Sequence, residues 1–388
     1  MFSRRVPADR TPTRLARAVA SARLRGPVLD LTLSNPTRAG LPYPQDMLRP
    51  LSDAAALTYR PEAFGLPGAR EAVAETYRRR GLAMGADRIV LTASTSDAYS
   101  LLFKLLCEPG RSSVLTPVPS YPLFDHLTRL DGVESRRYAL EYHGAWCIGP
   151  SELDRAWDAD TRAVLAVSPN NPTGSIVRDT DAVELVGVCA SRGAALIVDE
   201  VFWDYPLTDS LAEASPFDSP PCLTFRLGGL SKSAGLPQVK LGWIAVEGPA
   251  PLVDDALDRL ELICDTYLSV STPVQVAAPR LIEQGRGVRD RILERVRGNY
   301  RTLLSRAAGV SDVSVLNADG GWSAVLRVPA TTSEEQFALD LLERHSVVVH
   351  PGYFFDFAHE AFLVVSLLPE SSTFERGIDL VLERVHAA

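Results

Sequence analysis

The chain has 388 residues, too many for one ordinary domain and few for three, with 46% apolar residues, 23% charged residues and a net charge of -8. That is globular composition, and the acidic balance gives no electrostatic reason to expect nucleic acid, so small metabolites are the expected ligands. The five scattered cysteines, Cys107, Cys147, Cys189, Cys222 and Cys264, form no Cys-x-x-Cys pair and read as reduced thiols; with no apolar run near the roughly 20 residues of a bilayer span and no signal-peptide core at the start, a cytoplasmic location is expected.

Residues 1 to 25 are rich in Arg, Ala and Ser and nearly free of acids, a texture shared by organellar transit peptides and by amphipathic arms. Leu15, Val19 and Ala22 fall on one helical face, which favours an arm packed on its own subunit or a partner. From about residue 86 to 248 short β-rich runs alternate with helical stretches, the pattern of a mainly parallel sheet covered on both faces. Seven strands are predicted, at Arg88–Ser94, Ser113–Val118, Glu134–Leu140, Ala163–Ser168, Ala195–Asp199, Leu223–Leu227 and Leu241–Val246. Most are near-continuous apolar runs, as buried parallel strands require. Helical patterns between them include Asp97–Cys107 and Thr180–Arg192.

A long helical stretch from about Thr272 to Ala308 leads into short strands at Val313–Leu316, Ser323–Val328, Val347–His350 and Phe362–Leu367, with helices at Ser333–His345 and Ser372–His386. This predicts an α/β large domain over 46–270 and a smaller α+β domain built from 271–388 and the arm, 1–45.

Lys232 stands after a predicted strand, with Ser233 beside it and Gly235-Leu236-Pro237 behind, where an amine can be held partly desolvated and neutral enough to condense with an aldehyde. Asp199 ends an apolar strand at the carboxyl edge of the sheet, where a carboxylate can keep a pyridine nitrogen protonated. Asn171, fixed by Pro172-Thr173-Gly174, can donate its amide to a ring oxygen, and Tyr121, between Pro119 and Pro122, can stack on the ring. Thr95 and Ser96 open a helix after a strand, a place for a phosphate, and Lys240 adds positive charge. The order asks for pyridoxal phosphate.

Each signal alone has a duller explanation. An Asp-Glu pair after a strand serves as a cap or solvated edge, Asn-Pro-x-Gly as a turn, Tyr121 as core packing, and Thr95 with Ser96 as an N-cap. What joins them is their order, with 28 residues from Asn171 to Asp199 and 33 from there to Lys232.

These motifs resemble the pyridoxal-phosphate-dependent aminotransferases of fold type I, class I/II, over nearly the whole chain. The resemblance implies that Lys232 binds the cofactor aldehyde, Asp199 pairs with the pyridine nitrogen, Asn171 contacts the 3-oxygen, Tyr121 stacks, and Thr95, Ser96 and Lys240 hold phosphate. It also implies a homodimer with shared active sites, in which Tyr59, Ser271 and Thr272 approach from the neighbouring subunit.

Four positions depart from the family pattern. Phe202 stands where a phenol is expected near the 3-oxygen, Gly229 replaces a phosphate-binding serine, and Lys240 replaces an arginine. Val364, in Phe362-Leu363-Val364-Val365-Ser366, occupies the place of the arginine that holds the substrate carboxylate bidentately. Either another cation substitutes or the amine substrate is unusual. Arg38, in Ser34-Asn35-Pro36-Thr37-Arg38, is the candidate substitute, the competing reading being a surface arginine or one paired with an acid of the arm. Trp322, and with less support His350, Tyr353 and Phe354, are candidates to line the pocket.

The activity implied is transfer of an amino group between an amino acid or related amine and a 2-oxo acid by a ping-pong cycle, with Lys232 as cofactor anchor and proton shuttle. A β-eliminating lyase acting on cysteine-type substrates is the alternative on the same scaffold. A DNA-binding regulator would need a further domain where only about 45 residues precede the large one, and a nicotinamide dehydrogenase would need a Gly-x-Gly-x-x-Gly after the first strand.

Overall fold

The computed structural model describes residues 2–149, 151–208, 217, 219–268 and 270–386. The chain enters through helix α1 (Arg14–Arg25), whose N-cap Thr13 accepts from the Ala16 amide, and strand β1 (Leu29–Asp30). The apolar face read from Leu15, Val19 and Ala22 is used: Ala22 packs with Leu342 and Val348, so the arm lies on the C-terminal part of its own subunit.

Helix α2 (Pro67–Arg78) precedes the central sheet. Its elements follow in the order β2 (Ile89–Thr92), α3 (Thr95–Leu106), β3 (Ser113–Val118), α4 (Leu123–Asp131), β4 (Glu134–Tyr142), β5 (Trp146–Ile148), α5 (Glu152–Ala156), β6 (Thr161–Val167), α6 (Asp179–Arg192), β7 (Ala195–Asp199), β8 (Thr224–Gly229), α7 (Leu230–Ser233), β9 (Gly242–Glu247) and α8 (Ala250–Tyr267). Among the described residues eight strands, not seven, form the sheet, in the order β2-β9-β8-β7-β6-β3-β4-β5. The additional strand is β5, which turns back at Gly144 and pairs antiparallel with the end of β4, Leu140 facing Ile148. Its three residues are too few to show a strand period in sequence. Strands β4, β3, β6, β7 and β8 are mutually parallel, while β9 runs antiparallel to β8 and β2.

Chain order reverses direction across the sheet between β3 and β6, which opens a crevice at their carboxyl ends. The segments after β2, β3, β6, β7 and β8 all emerge on that edge, carrying Thr95, Tyr121, Asn171, Asp199 and Lys232.

Helix α9 (Thr272–Ala307) leads into β10 (Ser314–Val315), β11 (Ser323–Arg327), α10 (Glu334–His345), β12 (Val347–Val348), β13 (His350–Pro351), β14 (Phe362–Ser366) and α11 (Ser371–His386). A smaller antiparallel sheet runs β10-β11-β14-β13, and β1 pairs in parallel with β12. The pairing of β1 supports our proposed division of the chain into 46–270 and 1–45 with 271–388. One continuous apolar core crosses that division, joining Leu31, Val73, Trp243, Leu281, Leu326 and Phe374.

Beneath the crevice lies a buried ionic cluster. Arg226, on β8 and wholly buried, donates to Glu200 at 2.7 Å and to Glu247, and Arg80 donates to Glu200 at 2.9 Å. Burial alone would raise the Glu200 carboxyl, but Arg80 and Arg226 hold it below the ordinary carboxylate range. Removing one member strands the other charges away from water, which costs about 3–5 kcal/mol. Arg226→Met should therefore lower unfolding stability by about that amount in urea titration, and a loss under about 1 kcal/mol would show that the cluster is not sustaining the sheet.

Candidate active site

A cavity of about 400 Å³ opens at the crevice. Of the residues singled out in the sequence, Thr95, Tyr121, Asn171, Asp199, Phe202, Lys232, Trp322, His350 and Phe354 line it, as does Val364.

Lys232 sits in the single turn of α7, and its backbone is tied on all sides. The Tyr205 hydroxyl donates to the Lys232 carbonyl, Ser233 Oγ donates to the Gly229 carbonyl at 3.0 Å, and the Tyr43 hydroxyl donates to the Gly235 carbonyl at 2.7 Å. Helix α9 packs so tightly on this segment that a Cβ at Gly285 would lie 2.4 Å from Ala234 Cβ, so no larger residue fits there. The Lys232 amine itself has no hydrogen bond or ion pair among the described residues; it lies 4.7 Å from the Trp322 ring centroid and 5.4 Å from that of Phe202. Burial lowers its ammonium from the ordinary 10.5 to about 8, against the pull of Asp199. The other two lysines of the chain differ: Lys104 pairs with Asp131 at 2.6 Å, and Lys240 is exposed.

Asp199 is buried at the end of β7, and burial raises its carboxyl to about 6. Two donors resist that rise: the Val201 amide at 3.1 Å to Oδ1 and the Tyr99 hydroxyl at 2.9 Å to Oδ2. Tyr99 escaped the sequence reading, yet it stands one helical turn beyond Thr95 on α3, a spacing that places both on one face. Asn171 Oδ1 accepts from Ser323 Oγ at 3.4 Å, which leaves its amide N–H groups free to donate.

Helix α3 starts at Thr95 behind its N-cap Ser94, which accepts from the Asp97 amide at 3.1 Å. The amides of Thr95 and Ser96, in the first turn, have no carbonyl within the helix to bond and are available to an anion. A Cβ at Gly242 would come within 3.0 Å of the Thr95 nitrogen, so β9 reaches this helix end only because it carries no side chain there. Thr95 lines the cavity and Ser96, the next residue along, does not.

Several candidates lie elsewhere. Lys240 is in the left-handed region at φ 61, is exposed and stays outside the cavity lining. Arg38 closes a short turn, Pro36–Arg38, and is exposed; from that segment Thr32 and Ser34 enter the cavity instead. Tyr353 is partly exposed and also outside. Tyr59, 66% exposed, and Thr272 share a shallow depression with Leu268, apart from this chain's own cavity, and exposed Ser271 is the N-cap of α9 beside it. Thr32, Ser34, Ser120, Ser323 and Ser366 are cavity hydroxyls that sequence reasoning missed. Thr32 and Ser34 alternate with Leu31 and Leu33, which pack on the core, and that period of two was the available signal.

The lowered Lys232 value has a consequence for the cofactor-free protein. Because the folded value, about 8, is below the unfolded 10.5, the unfolded chain binds the extra proton between them, and raising pH through that window favours folding. Unfolding stability from urea titrations between about pH 8 and 9.5 should rise relative to Lys232→Met, whose curve lacks this rise. Parallel curves would mean that the amine is not desolvated.

The family model for aminotransferase class I and II matches residues 44–379. The glutamate-pyruvate aminotransferase AlaA of Haemophilus influenzae is 23% identical over 364 residues, covering 90% of this chain and 89% of that protein. An alanine aminotransferase of Mycobacterium tuberculosis is 27% identical over 369 residues, covering 91% and 84%. The solved structure of an alanine aminotransferase from Pyrococcus furiosus superposes with a TM-score of 0.88 over 100% of both chains at 21% identity, a likeness of fold. With its matched region spanning the central sheet and the strand-end segments that carry Thr95, Tyr121, Asn171, Asp199 and Lys232, the chain belongs to the class I and II aminotransferases, enzymes of the pyridoxal-phosphate fold type I.

Proposed function

We propose that this aminotransferase holds pyridoxal 5'-phosphate in the Lys232 cavity and moves an amino group there between an amino donor and an oxo acceptor. The observation that carries the reading is the Lys232 amine, partly buried beside Phe202 and Trp322, without a hydrogen-bond partner among the described residues and sharing the cavity lining with the buried acid Asp199. The residues present fit the cofactor: a free amine for its aldehyde, an acid for its ring nitrogen, and the first-turn amides of α3, at Thr95 in the cavity lining, for its phosphate. When bound, the cofactor supplies an aldehyde that captures amines and a protonated ring that draws electrons from the donor carbon.

Asp199 would hold the ring-nitrogen proton, oriented by Tyr99 and the Val201 amide. Asn171 would donate its free amide to the ring 3-oxygen, and Tyr121, half-exposed at the cavity mouth, would cover the ring face. Thr95 and Ser96 would take the phosphate at the α3 start. Phe202, packed edge-on against Trp322 with centroids 5.4 Å apart, gives the amine an apolar floor and no hydrogen bond. Lys232 Nζ, the one amine in the cavity lining among the described residues, would carry the proton removed from the donor carbon.

The reading extends to a homodimer in which Tyr59, Ser271 and Thr272 serve the neighbouring site. Their side-by-side position, next to the exposed Leu57, Tyr267 and Leu268, supports it. Lys240 would then add charge near the phosphate from outside this cavity. No helix among the described residues is long and apolar enough to cross a membrane, and all five cysteines are unpaired, in keeping with a proposed cytoplasmic site of action.

Borohydride reduction of the cofactor-loaded protein should attach the cofactor mass to the peptide containing Lys232, leaving those with Lys104 and Lys240 unmodified. Lys232→Ala should lose that adduct and slow amino transfer by about 10²–10⁴-fold. An adduct on another lysine, or undiminished transfer by the variant, would remove Lys232 from the reaction.

A further inference from the structure

The cavity wall is nearly without charge. Among the described residues lining it, Lys232 and Asp199 are the only ones that carry an ordinary charge, and both are committed to the cofactor in the reading above. The position on β14 that faces the cavity holds Val364, buried and packed with Phe355 and Val325. Its cross-strand neighbour is His350, whose ring stacks on Phe354 with centroids 4.8 Å apart and planes 9° from parallel. Burial pushes the His350 imidazolium down to about 4 despite the nearby Asp30, so the ring is neutral at physiological pH. Arg38 and Lys240 are exposed and outside the lining. The rest of the lining is aromatic, aliphatic or hydroxylic, with the Asn171 amide, and Trp322 Nε1 is a buried donor with no partner among the described residues.

A carboxylate moved from water into such a wall loses its hydration and meets no cation, whereas an aryl or alkyl group gains by burial.

We propose that the donor carbon bears no carboxylate: the enzyme acts preferentially on uncharged-chain primary amines with an aromatic or apolar substituent, which Val364, His350, Phe354 and Trp322 select. The proposal rests on the transaminase reading of this same cavity. The donor carbon is oxidised as its C–N bond breaks; the nitrogen and two electrons pass to the cofactor, and water supplies the oxygen of the aldehyde that leaves. The return half-reaction transfers the nitrogen to an oxo acceptor, reduces its carbonyl carbon and releases water, and through the same wall an aldehyde or ketone is favoured over the matching 2-oxo acid.

The test uses the holoenzyme and matched donors that differ only in the carboxylate: L-phenylalanine with 2-phenylethylamine, L-leucine with 3-methylbutylamine, and L-alanine with ethylamine. Single-turnover loss of the cofactor's aldehyde absorbance gives kcat/KM for each. At least one amine should exceed its amino acid tenfold or more, and calorimetry should give 3-phenylpropan-1-ol a Kd at least fivefold below that of 3-phenylpropionate. Val364→Arg, if it retains wild-type circular dichroism and cofactor absorbance, should shift the ratio tenfold or more toward the amino acids. Amino acids equal to or faster than their amines in the wild type, with tighter binding of the acid, overturn the proposal while leaving transamination standing. No absorbance change with any of the six overturns the transaminase reading and the proposal together.

Discussion

Placing an amine partly out of water, beside aromatic rings and without a hydrogen-bond acceptor, is the constraint around which this molecule is arranged. Lowering the Lys232 value from 10.5 to about 8 raises the neutral fraction near pH 7 by about 300-fold, the condition for an amine to attack an aldehyde. The protein bears that cost elsewhere. Tyr205, Tyr43 and Ser233 hold the Lys232 backbone, and Gly285 lets α9 pack closely behind the segment. The rings of Phe202 and Trp322 then face it with π-density in place of hydrogen-bond acceptors, which offsets part of the charge cost without pinning the proton.

The adjacent acids Asp199 and Glu200 show how one strand end serves two ends at once. Successive residues leave a strand on opposite faces. Asp199 turns to the cavity, where burial lifts its value against the Val201 amide, the Tyr99 hydroxyl and the Lys232 charge; Glu200 turns to Arg80 and Arg226, which keep it ionised. The buried cluster thus fixes the strand end that aims Asp199, and with Glu247 it ties β7, β8 and β9 together below the crevice.

Much of this was legible in the sequence because it follows from local pattern. Buried parallel strands announce themselves as short apolar runs, and a residue just past such a run must emerge at the carboxyl edge; that is how Asn171, Asp199 and Lys232 could be placed together from a linear order. Side-chain direction in irregular backbone has no such period. Arg38 lies in a tight turn and Lys240 has a left-handed backbone, and neither conformation can be inferred from residue type, so the placement of neither side chain was legible. Tyr205 reaches Lys232 across a turn that shows no repeat, and β5 is shorter than any detectable alternation. Tyr99, by contrast, was within reach: a phenol one turn from a predicted anion site, on the face that must meet the next strand end.

Val364 sits among uncharged neighbours. A buried arginine on β14 would need a carboxylate to face it whenever substrate is away, and here the neighbouring positions are Val325, Phe355 and a neutral His350, none of which can compensate a cation. The surroundings suit an uncharged residue: Phe354 and Phe355 pack on His350, and burial further favours its neutral ring. A cation introduced there would enter a wall whose one carboxylate among the described residues, Asp199, is already held by Tyr99 and the Val201 amide. Substrate charge and wall charge must change together, and in this chain the several residues that would have to be charged are all neutral.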